Sequence, residues 1–242
     1  MDIYSSDGKK LFDREFKDIK FIGENLILCD DILINKEGKI LFKDVDTYGY
    51  NSFDENCLIN ISINHEYGYI NKYGEIKIKP QFYLADPFHN GYAIVTNKEE
   101  KHGVIDKTGK FIIDPIYDAI WEIDNNLWGK WIVKREEGPY AVISKDGEII
   151  FEENEGNLED CREGGLLKNT VNGKIGFINL NGEIVVKPVY EEVGYFNYGV
   201  CPVSINGFWG LINDQGKEIV PPSFISIYRN NLGKLNILES ND

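Results

Sequence analysis

A short phrase that recurs along the chain constrains its fold more than any other feature of the sequence. Four clear copies, at residues 68–75, 103–110, 176–183 and 210–217, have the form Gly-x-Ile-Asn/Asp-x-x-Gly-Glu/Lys, and weaker copies begin at residues 2, 32 and 141. The second glycines of the seven copies stand 30 to 38 residues apart, at Gly8, Gly38, Gly74, Gly109, Gly147, Gly182 and Gly216. Self-similarity at such a period is typical of repeat proteins. We therefore expect one repeat domain that covers residues 1–242.

Each copy of the phrase predicts a β-hairpin. An Asn, Asp or Ser three residues before a glycine is typical of a type I turn, in which the glycine adopts a positive φ. Short β-branched runs follow the turn, such as Ile184-Val185-Val186. A further segment, at residues 91–95, 129–133 and 199–203, predicts another strand before the next hairpin. Since no stretch has a sustained helical period, we expect an all-β chain.

The register of the repeat continues beyond the turn. Six residues after the turn glycine stand Pro80, Pro115, Pro188 and Pro222, and eight residues after it stand Phe16, Phe82, Tyr117, Tyr190 and Phe224. We expect the proline to end the second strand, because it cannot donate a ladder hydrogen bond. The aromatic residue, called here the plug, is expected in the core. Two copies have Asp46 and Glu155 instead of a plug.

The order of these residues resembles the WG-repeat family of bacterial proteins. Trp209-Gly210 is a literal Trp-Gly pair, Tyr67-Gly68 is its aromatic variant, and His102 and Ile175 depart further from the family pattern. The resemblance extends over nearly the whole chain. It implies a tandem β-repeat scaffold that is used for binding and is not an enzyme.

The repeat leaves two arrangements open for the seven units of about 35 residues each. We favour an open twisted array, because the repeat is short for a four-stranded blade and no strand is obviously borrowed to lock a ring. A closed, propeller-like ring is the alternative, since closure removes exposed sheet edges. The segment Leu235–Leu238 is expected to supply the last strand and to cap one edge.

Charge and composition exclude several classes of function. With 40 acidic and 26 basic residues, the chain has a formal net charge of −14 and would repel nucleic acid and an anionic membrane. No apolar run reaches the roughly 18 residues that a membrane-spanning helix needs. The N-terminal residues do not resemble a signal peptide, and the four cysteines are widely spaced. We therefore expect a reduced, cytoplasmic protein.

Motifs that carry catalysis are missing from the sequence. The three histidines, His65, His89 and His102, have no metal-ligand spacing. The sequence has no phosphate-binding loop, dinucleotide fingerprint or nucleophile elbow. Paired acids such as Glu99-Glu100 fit solvated loops better than a glycosidase site. We therefore expect no enzyme activity, no cofactor and no metal, and assign no catalytic residue.

Two features depart from the repeat and are the candidate partner-binding residues. In the fifth copy the proline and the plug are replaced by acids, within a segment that contains Glu152, Glu153, Glu155, Glu159 and Asp160. This segment is either a decayed repeat or an acidic patch that faces a basic partner. Trp121 and Trp128 have no equivalent in other copies and are candidates for an interface, whereas Trp131 aligns with Ala93 and Cys201 and is expected in the core.

The sequence therefore predicts a non-catalytic repeat scaffold that binds another protein. A specific version is an acidic inhibitor or immunity-type protein that neutralises a basic partner, with carboxylates that steer the encounter. One alternative is a carbohydrate- or cell-wall-binding module, in which exposed Trp and Tyr rings stack on sugars. The other is a structural spacer that associates with copies of itself. The oligomeric state is left open.

Overall fold

The structure, a computed structural model, describes residues 3–4, 8–13, 15–22, 25–46, 58–123, 129–161, 163, 165–229 and 235–238. Every regular element in these ranges is a β-strand, so the all-β class is confirmed. None of these ranges contains a helix with the length and apolar character that a membrane crossing requires. The chain divides into two compact units, Met1–Asp118 and Ala119–Asp242. The expectation of one repeat domain stays a prediction.

The first unit contains three four-stranded antiparallel sheets whose strands pair in chain order. Sheet I consists of β1 (Ile19–Ile22), β2 (Leu26–Cys29), β3 (Ile32–Asn35) and β4 (Ile40–Lys43). Sheet II consists of β5 (Val45–Asp46), β6 (Leu58–Ile63), β7 (Glu66–Asn71) and β8 (Ile76–Phe82). Sheet III consists of β9 (Leu84–Ala85), β10 (Tyr92–Thr96), β11 (His102–Asp106) and β12 (Phe111–Tyr117). In the first copy, an isolated bridge pairs Tyr4 with Lys10.

The second unit has the same construction. Sheet IV consists of β13 (Ala119–Glu122), β14 (Lys130–Lys134), β15 (Tyr140–Ser144) and β16 (Ile149–Glu153). Sheet V consists of β17 (Asn157–Asp160), β18 (Leu166–Val171), β19 (Lys174–Asn179) and β20 (Ile184–Tyr190). Sheet VI consists of β21 (Glu192–Val193), β22 (Val200–Ile205), β23 (Phe208–Asn213) and β24 (Glu218–Phe224). The expected strand Leu235–Leu238 is β26, which pairs with β25 (Ser226–Arg229).

The predicted turns join the third and fourth strands of each sheet. All seven turn glycines have a positive φ, from 73° to 84°. In sheet II, Asn71 Oδ1 accepts hydrogen bonds from the backbone N–H groups of Tyr73 and Glu75, at 3.0 Å each. The N–H of Gly74 donates to the carbonyl oxygen of Asn71 at 2.9 Å. The turn chemistry inferred from the sequence is therefore confirmed.

In sheets V and VI a second tight turn joins the second and third strands, and it lets a short repeat accommodate four strands. The φ angles are 50° at Asn172 and 75° at Gly173, and 53° at Asn206 and 77° at Gly207. Positive φ at both central residues is the geometry of a type I′ turn, for which Asn-Gly is the preferred sequence. These Asn-Gly pairs can be recognised in the sequence, but they lie outside the hairpin phrase on which the prediction was based. With such turns and first strands as short as β9, the unit is a four-stranded sheet and not a hairpin alone.

The expectation that proline ends a strand is wrong. Pro80, Pro115, Pro188 and Pro222 lie inside β8, β12, β20 and β24, and pairing continues to the plug. Each of these strands is the last in its sheet order, so one of its sides faces no strand of that sheet. Proline is tolerated in an edge strand, because the missing N–H would have pointed away from the sheet.

A bulge in this edge strand couples the proline to the first glycine of the phrase. In sheet II, Tyr67 pairs with Phe82 and Tyr69 pairs with Ile78, so three residues of β8, 79–81, stand opposite the single residue Gly68 of β7. The extra backbone of β8 passes over Gly68, where an added Cβ would lie 2.6 Å from Pro80 N. The same register shift and close approach recur at Gly103, Gly176 and Gly210.

Sheet IV shows what happens when this pair is lost. Ala141 stands at the glycine position and Glu153 at the proline position. Here Tyr140 pairs with Glu153 and Ala141 pairs with Glu152, without the bulge. The glycine and the proline therefore act together. Where both are replaced, residues 140–142 of β15 pair one to one with residues 151–153 of β16.

Hydrophobic clusters lie between successive sheets of each unit. The plugs Phe16, Phe82, Tyr117 and Tyr190 are buried as predicted, and Phe224 is half-buried. The core placement of Trp131, Ala93 and Cys201 is also confirmed.

Two further core residues, Phe88 and Phe196, were not predicted from the sequence. The ring of Phe88 packs on Tyr69, with centroids 4.6 Å apart, and that of Phe196 packs on Phe177, with centroids 5.5 Å apart. Their readable signal was a shared Phe-x-x-Gly loop, at residues 88–91 and 196–199.

The bulge gives a first testable prediction. Gly176→Ala should destabilise the chain by about 1–3 kcal/mol, because the new Cβ would overlap the backbone of β20. The matched control is Ala141→Gly at the equivalent position of sheet IV, which should cost only about 0.5–1 kcal/mol. Urea unfolding of the full chain measures both. A smaller loss for Gly176→Ala than for Ala141→Gly would contradict the coupling.

The register gives a second prediction. Tyr190→Ala should destabilise the chain by about 3–5 kcal/mol, since it leaves a cavity in the core between sheets V and VI. Glu155→Ala, at the same repeat position of the fifth copy, should change stability by less than about 0.5 kcal/mol, because Glu155 is exposed. Thermal and urea unfolding would compare the two variants, and equal losses would show that the assigned register is wrong.

Candidate functional site

The candidate residues lie around the junction of sheets IV and V. The strands of each sheet are antiparallel, so the turn between its second and third strands lies at the same end as the link to the next sheet. We call this end the link end. Glu153 and Glu155 lie at the link end of sheet IV, where β16 stops and the chain continues to β17. The acid-rich segment therefore extends from the end of β16, through the link, into β17.

The acidic side chains of this segment differ in their surroundings. Glu152, Glu155 and Glu159 are exposed, whereas Glu153 and Asp160 are half-buried. Glu159 pairs across the strands with Lys168, and Asp160 pairs with Leu167. The exposed carboxylates are thus held on or beside strands and are available to solvent.

Glu153 has a structural role in the link. Its Oε1 accepts hydrogen bonds from the backbone N–H groups of Glu155 and Gly156, at 2.8 and 3.1 Å. Its Oε2 accepts a hydrogen bond of 2.9 Å from Asn169 Nδ2 in sheet V. Charge-assisted hydrogen bonds of this kind are about twice as strong as neutral ones. Glu153 therefore closes the turn between the two sheets and fastens it to β18.

The partner of Glu153 also departs from the repeat. Asn169 pairs with Gly176, and the equivalent partners of Gly68 and Gly210 are the apolar residues Ile61 and Val203. Asn169 is 4% exposed, and its Oδ1 lies against Gly156, where an added Cβ would collide with it. The loss of the proline in the fifth copy is thus matched by a polar residue in the next sheet.

An exposed aromatic ring, Trp121, and the half-buried ring of Tyr140 stack on each other in sheet IV. The indole of Trp121 is 48% exposed and stacks on Tyr140, with centroids 6.3 Å apart and planes 17° apart. Lys134 Nζ lies 4.8 Å from the centroid of the Tyr140 ring and donates a hydrogen bond to the carbonyl oxygen of Gly138. Tyr140 is the cross-strand partner of Glu153. Trp121, Tyr140 and Glu153 therefore share one face of sheet IV, whereas Glu152, which pairs with Ala141, is on the other face. Trp128 lies outside the described residues.

The buried cysteines of the second unit are poor nucleophiles. Burial raises the pKa of Cys201 to about 12 and raises that of Cys161 further above its usual range. Both thiols therefore stay protonated at neutral pH, and only the thiolate is reactive. In the described ranges, no three His, Cys, Asp or Glu side chains are grouped so that they could hold a metal ion. The geometry of the link end suits binding by charge and aromatic contact.

The comparison with protein families agrees with the repeat analysis. The family described as WG containing repeat matches residues 67–101, 103–127, 175–207 and 209–232, which belong to the third, fourth, sixth and seventh copies. The resemblance inferred from the sequence is confirmed at these copies. No curated protein sequence matches the chain.

Several solved structures are similar in architecture at low sequence identity. The WD40 β-propeller domain of Doa1 aligns with 95% of this chain and 90% of its own, with 14% identity and a TM-score of 0.34. Hsv2 of Kluyveromyces lactis aligns over 98% of this chain and 91% of its own, with 11% identity and a TM-score of 0.41. A eukaryotic initiation factor aligns over 99% of this chain and 67% of its own, with 10% identity and a TM-score of 0.46. Similarity at this level carries no information about the function of this chain.

The contacts of Glu153 give a third prediction. Glu153→Ala should destabilise the chain by about 1–3 kcal/mol, because it leaves the amide of Asn169 and two backbone N–H groups without their acceptor. Adding Asn169→Val should recover part of that loss, since valine restores the apolar residue found in sheet VI. Glu152→Ala, beside it and exposed, is the control and should be neutral. Equal effects of Glu153→Ala and Glu152→Ala in urea unfolding would contradict the structural role.

Proposed function

We propose that this chain, which carries WG containing repeats at four of its copies, is a non-catalytic scaffold that binds another protein. The observation that carries the proposal is the link end of sheet IV, where exposed carboxylates and the exposed ring of Trp121 lie on a framework fixed by Glu153. Rigid support lowers the entropic cost of ordering an interface. Tryptophan is also among the residues that contribute most to protein interfaces.

The partner that we propose is a basic protein, and the role of the chain is that of an inhibitor or immunity-type protein. The net charge of −14 would accelerate the encounter with a basic partner such as a nuclease or another toxin. The exposed Glu152, Glu155 and Glu159 would orient that partner toward Trp121. We place this activity in the cytoplasm, in keeping with the widely spaced cysteines.

A carbohydrate-binding function is the second candidate, and the exposed face of Trp121 favours it. One face of this ring is covered by Tyr140, so the other could stack on a sugar, with carboxylates nearby to accept hydrogen bonds. Tryptophan fluorescence distinguishes the candidates, because stacking on Trp121 should shift the emission when glycans are added. A response that survives in Trp121→Ala would not come from this site.

The fourth prediction tests the electrostatic part of the proposal. Affinity capture of the tagged chain from its own cells should yield one stoichiometric basic protein at low ionic strength and lose it at high ionic strength. The variant Glu152→Gln, Glu155→Gln, Glu159→Gln should lower the association rate of that protein about tenfold and flatten its salt dependence.

The control for this experiment removes the same charge elsewhere. Glu37, Asp146 and Glu148 are exposed acids in or beside the repeated Asx turns, away from the link ends. Replacing them with Gln, Asn and Gln should change the rate much less. Equal effects of the two triple variants would show that net charge alone drives binding, and capture of no protein would overturn the proposed function.

A further inference from the structure

Two adjoining hollows in the first unit flank a pair of exposed apolar residues. Tyr83 links β8 to β9, and Leu84 is the first residue of β9; their side chains are 49% and 39% exposed. The hollows have volumes of about 580 and 410 Å³, and both residues line both of them. Tyr83 and Leu84 thus form a ridge between two cavities, at the link end of sheet II. We call the ridge and its two hollows the ridge groove.

The repeat does not require an apolar ridge at this position. The two residues that follow the plug are Asp118-Ala119 after sheet III and Glu191-Glu192 after sheet V. After sheet VI they are Ile225-Ser226. The backbone N–H of Tyr83 donates a hydrogen bond of 2.9 Å to the carbonyl oxygen of Thr96, so the ridge is fixed to sheet III. Tyr83 and Leu84 are therefore local to this junction and rigidly presented.

The larger hollow is lined by carboxylates where other copies bury a ring. Asp44 and Asp46 stand at the proline and plug positions of the second copy, and both are exposed. They line the hollow together with His65, Tyr67 and Tyr83. Carboxylates beside aromatic rings are favourable surroundings for a guanidinium or ammonium group. The missing plug thus leaves a hollow suited to a basic side chain.

The smaller hollow also has an excess of negative charge. Its carboxylates belong to Glu99, Glu100 and Asp118, and Lys101 forms an ion pair with Asp118. His102 lies in the same wall, with Nδ1 3.1 Å from Thr96 Oγ1. Acidic residues therefore outnumber basic ones in both walls of the ridge groove.

We propose that the ridge groove binds a basic segment of polypeptide. Lysine or arginine side chains enter the two hollows, and an apolar side chain between them packs on Tyr83 and Leu84. Charge complementarity selects a cationic occupant, and the apolar ridge selects a polypeptide over a small polycation, which has nothing to place there. The inference rests on the proposed function and assigns part of the partner recognition to the first unit.

The experiment uses the full chain and a fluorescein-labelled peptide of sequence Gly-Ser-Arg-Arg-Leu-Arg-Arg-Ser-Gly, with fluorescence anisotropy as readout. Tyr83→Asn with Leu84→Ala removes the apolar ridge without adding a charge. It places an uncharged isostere of Asp118 and an alanine like Ala119, the residues of the next link, and should therefore fold. Asp44→Asn with Asp46→Asn removes the charge of the larger hollow. We expect each double variant to raise the Kd about tenfold. Asp146→Asn with Glu148→Gln removes the same charge at the turn between β15 and β16, which is not part of the ridge groove, and should leave the Kd nearly unchanged.

Other results would overturn the inference. They are equal weakening by the control variant in sheet IV, equal binding of a peptide with Glu in place of Arg, or unchanged binding by Tyr83→Asn with Leu84→Ala. Competition by spermidine as efficient as competition by the unlabelled peptide would identify the groove as a polycation site instead. Replacing the leucine of the peptide by serine should weaken binding to the wild type and have no effect on the ridge variant.

Failure of this inference is distinguishable from failure of the proposed function. If both groove variants capture the cellular partner as well as the wild type does, the groove inference is wrong and the scaffold function stands. If the peptide binds the groove as described but affinity capture yields no protein, the proposed function fails while the groove chemistry stands.

Discussion

The close approach of one backbone to another organises this repeat. In four of the copies, the bulged edge strand passes over the first glycine of the phrase at a distance that leaves no room for a Cβ. Because of the bulge, the residue before the glycine pairs with the plug, as Trp209 does with Phe224. The aromatic residue and the glycine of the family motif therefore have different tasks. The glycine gives space to the backbone, and the aromatic residue faces the plug across the strands.

Local chemistry made part of this fold predictable. The Asx turns depend on residues three apart, so Asn71 and Gly74 could be interpreted without knowledge of the sheet. The position of Pro80 could not, because whether a proline is tolerated depends on which strand lies at the edge. The hairpin phrase alone does not contain that information. The Asn172-Gly173 turn and the Phe-x-x-Gly loop of Phe88, by contrast, were readable from the sequence and show that two strands precede each hairpin.

The sequence predicted which residues make up the candidate site, but not what each of them does there. The sequence identified an acidic departure from the repeat in the fifth copy, and it placed Glu153 and Glu155 together. The structure gives them different roles. The carboxylate of Glu153 accepts hydrogen bonds from the backbone of Glu155 and from Asn169, sixteen residues further along in the next sheet, whereas the side chain of Glu155 is exposed. The ridge of Tyr83 and Leu84 was missed for a different reason. It becomes visible only when the register is continued past the plug and compared link by link.

The hydrogen bond between Glu153 and Asn169 has a consequence for how such a chain can be rearranged. It joins two successive copies, so the fifth and sixth copies are not interchangeable cassettes. A duplication or a designed shuffle that inserted a regular copy before sheet V would place a proline where Glu153 stands, and the carboxamide of Asn169 would be buried beside it without an acceptor. Inheritance of these two copies as a block avoids that cost. In the third, fourth and seventh copies, by contrast, the glycine and the proline that depend on each other lie within one copy.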